Sequence, residues 1–386
     1  MHILHVGKYY WPHKGGMETV LQNLCEAHTQ RARITALVSS VDGTTREEVI
    51  AGVHVIRAGC MGTPLSVPLP LGLVGWIRRA QADVIVHHEP NPLALLAYLR
   101  ARPASAFVVW FHSDIIRQRV FYWAYRPFLR AALRKAKAIV VASPNHVRYT
   151  PILQEFADKC YVIPYGIDMD RFRLDADRQP RVAKIRGNGG LPIVLFIGRF
   201  AYYKGLEYLV DAMWVIRARL ILIGSGPMEK EIRERARAVK TPGSIEFTGE
   251  LPEEELIAHL HACDLLVLPS VERSEAFGVV QIEAMACGKP VVSCRIPSGV
   301  PWVNRHGETG LTVPPRDAEA LAGAINTLLE DPRRRELLGR NGQLRVEREF
   351  TIERMTTAFW EVLEMAQKDR VPDGYRYDPH DTVSVG

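Results

Sequence analysis

Two glutamates with seven residues between them mark the stretch of this sequence that is best suited to chemistry. Glu275 and Glu283 lie within residues 270–292, where apolar runs and a glycine predict a loop, a helix and a strand in succession. On one helix the two carboxylates would lie roughly 12 Å apart, at about 1.5 Å per residue, so they cannot act on the same group. We therefore expect Glu275 in the loop and Glu283 about two turns inside the helix.

The residues between the two glutamates predict an anion-binding site. A helix N-terminus presents backbone N–H groups and the positive end of its dipole, and a glycine removes a side chain where a ligand must approach closely. The segment consists of Ala276, Phe277, Gly278 and Val279. The alternative interpretation is one glutamate that complements the helix dipole and a second on a solvated surface.

Two cations follow the strand that is predicted to start at Ile193. Arg199 and Lys204 lie on the loop between this strand and the next helix, beside Gly198. Two positive charges at the carboxyl edge of a sheet are suited to neutralise a diphosphate leaving group and to stabilise the charge that develops on it. The alternative is a pair of solvated loop side chains.

The first half of the chain adds candidates at the ends of two predicted strands. Gly15 and Gly16 precede a helix and allow an anionic group to approach its N-terminus, but they do not form G-x-G-x-x-G, which disfavours a dinucleotide cofactor. His112 ends the strand 106–111 at the edge where doubly wound folds bind ligands. Asp114 is a weaker candidate, for acceptor contact or for loop structure. The alternatives are a flexible turn and a structural histidine.

These motifs resemble one known family. The segment E-A-F-G-V-V-Q-I-E-A-M-A-C-G-K-P-V-V resembles the E-x7-E signature of the retaining GT-B glycosyltransferases of family four. The spacing G-R-F-x-x-x-K-G is similar to that family's diphosphate-binding arginine and lysine, and I-P-Y-G-I-D resembles its exit from the N-terminal domain. The resemblance covers nearly the full chain. It implies an enzyme that moves a hexose from a nucleotide-sugar with retention of anomeric configuration.

The resemblance also implies a role for each candidate residue. The implied catalytic residues are Glu275, His112, Arg199 and Lys204. The implied contacts with the donor come from Gly15, Gly16, Gly198, Arg199, Lys204, Gly249, Glu250, Leu251, Glu275, Ala276, Phe277, Gly278, Val279 and Glu283. Among them, Glu283 accepts hydrogen bonds from the ribose, and the turn at 249–251 meets the nucleobase through its backbone. No Asp-x-Asp pair occurs in a suitable loop, so we expect no metal and no organic cofactor.

The segment F-H-S-D-I-I-R-Q resembles transferases that use GDP-activated mannose or deoxymannose. It predicts transfer of mannose from GDP-mannose to a polyprenyl-linked or oligosaccharide acceptor in surface-polysaccharide biosynthesis. Three alternatives remain: a UDP-sugar donor, a UDP-sugar 2-epimerase of the same fold, and a basic nucleic-acid-binding protein. No nucleic-acid-binding motif occurs, so we expect no nucleic-acid partner.

Length and periodicity predict two domains. A chain of 386 residues exceeds one ordinary core, and strands alternate with helices, as in parallel βαβ units. We expect the α/β GT-B architecture, in which two Rossmann-like doubly wound domains face each other across a cleft. The predicted parts are an N-terminal domain at 1–170, a nucleotide-sugar-binding domain at 171–350, a helix at 351–368 that crosses back to the first domain, and a mobile tail at 369–386.

Charge is unevenly placed along the chain and predicts an anionic partner. Residues 1–173 contain 21 Lys and Arg against 12 Asp and Glu, and residues 117–137 combine seven basic residues with aromatic ones. Such a segment suits an interfacial helix on anionic headgroups, and Pro127 predicts a break within it. The predicted membrane-facing residues are Arg117, Arg119, Trp123, Arg126 and Arg130. The alternative is an ordinary amphipathic helix whose aromatic residues pack on the sheet.

The sequence also predicts where the protein resides. It contains no apolar run of about 18 residues and no N-terminal signal pattern, and its six cysteines are scattered without a C-x-x-C pair. We expect a cytoplasmic protein with reduced thiols, peripheral on the inner face of the cytoplasmic membrane.

Overall fold

The computed structural model describes residues 1–13, 15–60, 62, 70, 72–114, 119–187, 190–368 and 374–379. It divides the chain into two compact units. The first contains Met1–Tyr165 and the segment that starts at Ile352, and the second contains Gly166–Thr351. Each unit has its own largely parallel sheet with helices packed on it. The predicted α/β class with two parallel-sheet domains is therefore confirmed.

The first unit is built on an eight-stranded sheet. Its strands are β1 (His2–Val6), β2 (Arg33–Ser39), β3 (Arg46–Ile50), β4 (Val53–Ala58), β5 (Val84–Glu89), β6 (Ala106–Phe111), β7 (Ala138–Val141) and β8 (Cys160–Val162). They lie in the order β3-β4-β2-β1-β5-β6-β7-β8. The pairing is parallel throughout except between β3 and β4. The strand order reverses next to β1, which places a ligand crevice at the carboxyl ends of β1 and β5.

Helices connect these strands and cover the sheet. In chain order they are α1 (Gly16–Ala27), α2 (Leu73–Ala80), α3 (Pro92–Ala101), α4 (Arg119–Lys135), α5 (Pro144–Tyr149) and α6 (Pro151–Gln154). Pro151 separates α5 from α6, because proline lacks the N–H that would continue the helical hydrogen bonds.

Pro127 has a smaller effect than the sequence predicted. The helix α4 continues through this proline without a break, so the prediction of two helices is wrong. Tyr125, Leu129 and Leu133 lie on one face of α4 and are at most 3% exposed in the core. Burial of three such side chains contributes roughly 1.5–3 kcal/mol each, which outweighs the cost of about 3 kcal/mol for one interior proline.

The second unit contains a six-stranded parallel sheet. Its strands are β9 (Ile193–Ile197), β10 (Arg219–Ile223), β11 (Ser244–Gly249), β12 (Leu265–Leu268), β13 (Val291–Cys294) and β14 (Gly310–Val313). The order is β11-β10-β9-β12-β13-β14. Its helices are α7 (Gln179–Arg186), α8 (Leu206–Ala212), α9 (Glu229–Ala238), α10 (Glu253–Ala262), α11 (Val279–Ala286), α12 (Val300–Val303), α13 (Ala318–Glu330) and α14 (Pro332–Glu349). The reversal of strand order lies between β9 and β12.

The last helix, α15 (Ile352–Lys368), belongs to the first unit, as predicted for a helix that returns to the N-terminal domain. Phe359 is fully buried and its ring lies 4.7 Å from that of Trp110 on β6. The backbone carbonyl of Thr356 accepts a hydrogen bond of 2.9 Å from His28 Nε2. Apolar spacing on one face of α15 therefore anchors it to the sheet.

Part of the predicted mobile tail is docked on the first unit. The backbone N–H of Val162 donates to the carbonyl of Tyr375 at 2.7 Å, and that of Tyr377 donates to the carbonyl of Cys160 at 2.9 Å. Tyr377 also packs against the hydrophobic core. For residues 374–379 the prediction of a free tail is therefore wrong. The cause is β8, an edge strand whose exposed backbone groups gain partners from the tail.

Candidate active site

The candidate site in the second unit forms where two distant loops meet. Strands β9 and β12 are neighbours in the sheet, so the loops after their carboxyl ends lie side by side. Lys204 follows β9 and Glu275 follows β12. Lys204 Nζ lies 2.5 Å from Glu275 Oε2, and the two side chains are only 10% and 12% exposed. A cation and a carboxylate from separate motifs thus form one nearly buried ion pair.

Gly205 allows this close approach of the two loops. Its φ of +64° lies in the left-handed region, and a Cβ at this position would lie 2.3 Å from the carbonyl oxygen of Pro269 and 2.7 Å from Val271 Cγ1. The N–H of Val271 donates to the carbonyl of Tyr203 at 2.8 Å. Any larger residue at position 205 would therefore separate Lys204 from its partner.

The ion pair keeps Lys204 positively charged. Burial lowers the pKa of Lys204, but the Glu275 carboxylate and Tyr203 together raise it more, so that it lies above the usual value. Ser270 Oγ donates a second hydrogen bond of 3.1 Å to Glu275 Oε2. Arg199 is exposed on the same loop as Lys204. This edge of the sheet therefore offers two cations and one oriented carboxylate.

Glu275 lies in a loop, as predicted, and Glu283 lies in α11. The helix begins only at Val279, because Gly278 has a φ of +73° and stands outside it as the N-cap. Glu283 is thus about one turn inside the helix and not two, which corrects that expectation. A Cβ at position 278 would lie 2.6 Å from Leu268 Cδ2, so glycine is required by the close approach of β12.

The segment Ala276–Gly278 is held by contacts that sequence patterns did not reveal. Gln281 Nε2 donates to the carbonyl of Phe277 at 3.0 Å, and the N–H of Gly299 donates to the carbonyl of Ala276 at 2.8 Å. The Phe277 ring packs edge-on against Phe350 at 6.0 Å. Gln281 lies inside the glutamate motif, one turn from Gly278, and that spacing was the one available signal of its role.

Glu283 is half-buried, and its chemistry differs from that of a surface glutamate. Burial raises the pKa of Glu283 to about 7, although the nearby Arg171 guanidinium lowers it in part. A carboxyl group with this pKa changes its charge near neutral pH. It binds a diol most strongly in its ionised form, because charged acceptors form the stronger hydrogen bonds.

The predicted nucleobase turn lies at the end of β11. Gly249 has a φ of +72°, and its carbonyl accepts a hydrogen bond of 2.8 Å from the N–H of Gly224. Glu250 is exposed and accepts a hydrogen bond of 2.5 Å from Ser225 Oγ, while Leu251 is half-buried. Gly198, with a φ of +153°, ends β9 beside this turn. The ends of β9, β10 and β11 are therefore tied together by short glycine-rich contacts.

The first unit contains four of the candidate residues, namely the glycine pair and two polar residues. Gly15 is the N-cap of α1 and Gly16 its first residue. A Cβ at position 15 would lie 2.2 Å from Glu18 Oε2, so this glycine gives space to the carboxylate at the helix N-terminus. Asp114 is half-buried and accepts a hydrogen bond of 3.1 Å from Thr150 Oγ1, which supports its structural interpretation.

His112 is only 2% exposed, and both of its ring nitrogens have protein partners. Nε2 lies 2.9 Å from His88 Nδ1, and Nδ1 lies 2.8 Å from Tyr165 Oη. Burial lowers the pKa of His112 to about 3, with His146 as a further cause. In this arrangement both ring nitrogens are engaged, so neither is available for proton transfer. The partner His88 was not identified from the sequence.

The predicted membrane-facing residues have mixed surroundings. Trp123 on α4 is 79% exposed. Arg126 and Arg130 instead form ion pairs with Glu155, whose Oε1 lies 3.4 Å from Arg126 Nη2 and 2.7 Å from Arg130 Nη2. Arg117 lies outside the described residues, and of Arg119 only the backbone is described. The helix therefore packs Tyr125 inward and presents Trp123 outward, which combines the two interpretations. In the described part of the chain, no helix has the length and apolar character to cross a membrane.

Comparison with known proteins finds relatives over most of the chain. O-antigen chain mannosyltransferase C of Escherichia coli is 32% identical, over 93% of this chain and 97% of that protein. D-rhamnosyltransferase WbpZ of Pseudomonas aeruginosa is 34% identical, over 91% and 92%. A GDP-mannose-dependent alpha-(1-6)-phosphatidylinositol monomannoside mannosyltransferase of Mycolicibacterium smegmatis is 28% identical, over 86% and 90%.

The fold and these relatives define the class of protein. The solved structure of sucrose-phosphate synthase from Thermosynechococcus elongatus matches with a TM-score of 0.79 at 25% identity, over 95% of this chain and 99% of that one. The chain has the GT-B fold and is a nucleotide-sugar-dependent hexosyltransferase. Residues 14–171 match the family Glycosyltransferase Family 4, and residues 177–345 match Glycosyl transferases group 1. The chain belongs to glycosyltransferase family four, as its motifs predicted.

Proposed function

We propose that this enzyme transfers mannose from GDP-mannose, with retention of configuration, to a lipid-linked or glycan acceptor in surface-polysaccharide biosynthesis. The observation that carries the proposal is the buried pair of Lys204 and Glu275, which unites the two family motifs at one edge of the sheet. Two relatives are named as mannosyltransferases, and one of these as GDP-mannose-dependent, which supports the choice of donor.

The four charged residues of the candidate site have three tasks in this proposal. Arg199 and Lys204 bind the diphosphate, and Lys204 shares its charge between Glu275 and the leaving group. Glu275 accepts hydrogen bonds from the hydroxyl groups of the sugar, and Glu283 accepts them from the ribose. Because these groups are fixed before the reaction, they stabilise charge on the diphosphate at little cost of reorganisation.

The proposed chemical step exchanges one bond for another on the same face of the sugar. The bond from the anomeric carbon to the diphosphate oxygen breaks, and a bond from that carbon to the acceptor oxygen forms. The acceptor proton passes to the leaving diphosphate, with Asp114 as the less favoured recipient. Arg199 and Lys204 supply the positive charge, so the proposed reaction needs neither a metal nor an organic cofactor.

The donor is tested directly by ligand binding and product formation. A ligand that binds only the folded state at about 100 times its Kd stabilises a protein by about 2.7 kcal/mol. We therefore expect GDP and GDP-mannose to raise the Tm clearly more than UDP, ADP and their sugars, and we expect labelled mannose to reach an acceptor of the polyprenyl-diphosphate class.

Three other results of these experiments would change the assignment of the donor or of the reaction. A larger shift with UDP would replace the donor and leave the transferase class intact. Conversion of a UDP-sugar in the absence of an acceptor would identify a 2-epimerase and contradict the proposal. A transfer product that contains D-rhamnose in place of mannose would assign the sugar named for the Pseudomonas relative.

The ribose role of Glu283 predicts pH-dependent binding of the nucleoside diphosphate. Because the pKa of Glu283 is about 7, the group is mostly neutral at pH 6 and mostly ionised at pH 8. Affinity for GDP should therefore rise up to about tenfold between these values, measured by isothermal titration calorimetry. The Glu283→Gln variant is the control, since GDP itself ionises near pH 6. An equal rise in that variant would contradict the assigned role.

We further propose that α4 binds an anionic lipid surface and makes the enzyme peripheral on the cytoplasmic membrane. Trp123 and Phe128 are 79% and 48% exposed, and Arg134, Lys135 and Lys137 follow them in the sequence. An aromatic side chain inserts at the headgroup boundary while the cations remain near the phosphates. A lipid-linked acceptor would be presented at the same surface.

Removal of the two exposed aromatic side chains should weaken vesicle binding. Burial of one such side chain contributes roughly 1.5–3 kcal/mol, so the double variant W123S/F128S should lose at least tenfold in partition to phosphatidylglycerol vesicles, measured by cosedimentation. The matched control is Trp214→Ser, because Trp214 is also exposed, at 58%, but belongs to the second unit. Equal sedimentation of the double variant and the wild type would contradict the membrane role.

A further inference from the structure

Three histidines and one tyrosine form a continuous buried chain in the first unit. His5 Nδ1 lies 3.1 Å from His88 Nε2, His88 Nδ1 lies 2.9 Å from His112 Nε2, and His112 Nδ1 lies 2.8 Å from Tyr165 Oη. The exposed fractions of these four residues range from 0% to 7%. This hydrogen-bonded chain is therefore buried along its whole length.

The sheet explains why these rings meet. His5 lies on β1, His88 on β5, and His112 directly follows β6, and these three strands are neighbours. His5 pairs in register with Val86, and His88 pairs with Trp110. Since side chains two residues apart in a strand share a face, the three histidines project from the same face of the sheet. Phe359 of α15 lies 6.2 Å from the His5 ring and covers this face.

The number of hydrogen atoms restricts how the chain is protonated. A neutral imidazole has one N–H, and each contact between two ring nitrogens needs one donor and one acceptor. Because His88 is engaged on both nitrogens, its tautomer determines those of its two neighbours. The chain therefore has two arrangements: either every ring carries its hydrogen on Nδ1, or every ring carries it on Nε2. No single ring can change alone.

The free end of the chain selects between these arrangements. His5 Nε2 is buried and has no hydrogen-bond partner among the residues that the structure describes. If the rings carried their hydrogens on Nε2, this atom would be an unpaired buried N–H, which is rarer in proteins than an unpaired acceptor. With the hydrogens on Nδ1, His5 Nε2 keeps only an unpaired lone pair, and Tyr165 Oη accepts the hydrogen of His112 Nδ1. Burial also lowers the pKa of His5 and of His88 well below the usual value, so both rings are neutral.

We propose that His88 and His5 are positioning residues that hold His112 as a neutral ring protonated on Nδ1, with its hydrogen directed at Tyr165. The importance of this hydrogen-bonded chain for catalysis rests on the proposed function and on the catalytic role that the family resemblance implies for His112. His112 then acts as a rigid neutral surface at the carboxyl edge of the sheet and does not exchange a proton during transfer. Its ring plane is fixed from both sides, by His88 and by Tyr165.

The tautomers can be measured without any assay of activity. Long-range ¹H–¹⁵N correlation spectra of the whole protein, labelled with ¹⁵N-histidine, distinguish Nδ1–H from Nε2–H. Variants in which one histidine at a time is replaced by phenylalanine assign the signals. We expect His5, His88 and His112 to carry hydrogen on Nδ1 at neutral pH. A hydrogen on Nε2 of any of the three, or a protonated ring, would overturn the proposal. This experiment uses the wild-type protein and remains valid even if the proposed transfer reaction is wrong.

A kinetic experiment tests the effect on catalysis. His88→Phe should lower kcat by roughly 10- to 100-fold, because a contact group that is misplaced has about this cost. It should leave the Kd for GDP unchanged, because the residues proposed to bind the nucleotide lie in the second unit. His88→Gln should restore most of kcat, since its amide can donate to His112 Nε2. The matched control is His28→Phe, another buried histidine of the first unit that is not part of the chain.

The outcomes separate the two proposals. If the wild type transfers the sugar, three results would overturn the positioning role. They are a wild-type kcat in His88→Phe, a kcat in His88→Gln as low as that in His88→Phe, and an equal loss of kcat in His28→Phe. Absence of transfer by the wild type would overturn the proposed function, and the tautomer measurement would still decide the protonation of the chain.

Discussion

Replacement of Glu275 by glutamine is expected to lower the rate of sugar transfer by roughly 10²- to 10³-fold, the usual effect of removing one group that stabilises a transition state. The change keeps the shape of the side chain and removes the charge that orients Lys204 at 2.5 Å. Binding of GDP should change little, since Glu283 and Arg199 remain. Initial rates with GDP-mannose and calorimetric Kd values for GDP would measure the two effects.

The matched control is Glu272→Gln. Glu272 lies on the same loop as Glu275 but pairs with Arg316 at 3.3 Å near the surface. Such exposed pairs contribute only about 0–1 kcal/mol, so this variant should retain nearly full activity and stability. Full turnover in Glu275→Gln, or an equal loss in both variants, would show that Glu275 does not have the assigned role.

Replacement of Lys204 by methionine should affect both activity and stability. It removes a cation from the diphosphate site, with an expected loss of about 10²- to 10³-fold in kcat/KM. It also leaves the Glu275 carboxylate nearly buried without its partner, which typically costs about 3–5 kcal/mol in the free energy of unfolding. Rates with GDP-mannose and urea-induced unfolding would measure the two losses. The control Lys230→Met changes an exposed lysine on α9 and should alter neither quantity.

The double variant K204M/E275Q identifies the origin of the stability loss. Two residues in direct contact do not contribute additively, and here each single variant leaves the other partner unpaired. The double variant should therefore be more stable than the sum of the two single losses predicts, while its activity stays low. Strict additivity of the two unfolding free energies would contradict a coupled pair.

Much of the fold and part of the site follow from local patterns. Alternation of apolar runs with helical periodicity predicted the βαβ units of both sheets, but it did not predict β3, whose charged residues resemble a loop. Spacing alone placed Glu275 outside the helix and Glu283 inside it. Other predictions required information that is not local: Pro127 remains in a continuous helix because tertiary burial outweighs its local cost, and residues 375–377 are held by an edge strand.

The sequence by itself determined the α/β class, the two-domain organisation and the family, because these depend on periodicity and on motifs of adjacent residues. The tertiary structure alone decided which groups meet. Lys204 contacts Glu275 because β9 and β12 are neighbours in the sheet, and His5, His88 and His112 form a chain because three parallel strands place one histidine each on the same face. Strand order is set by the packing of whole βαβ units, and no local spacing encodes it.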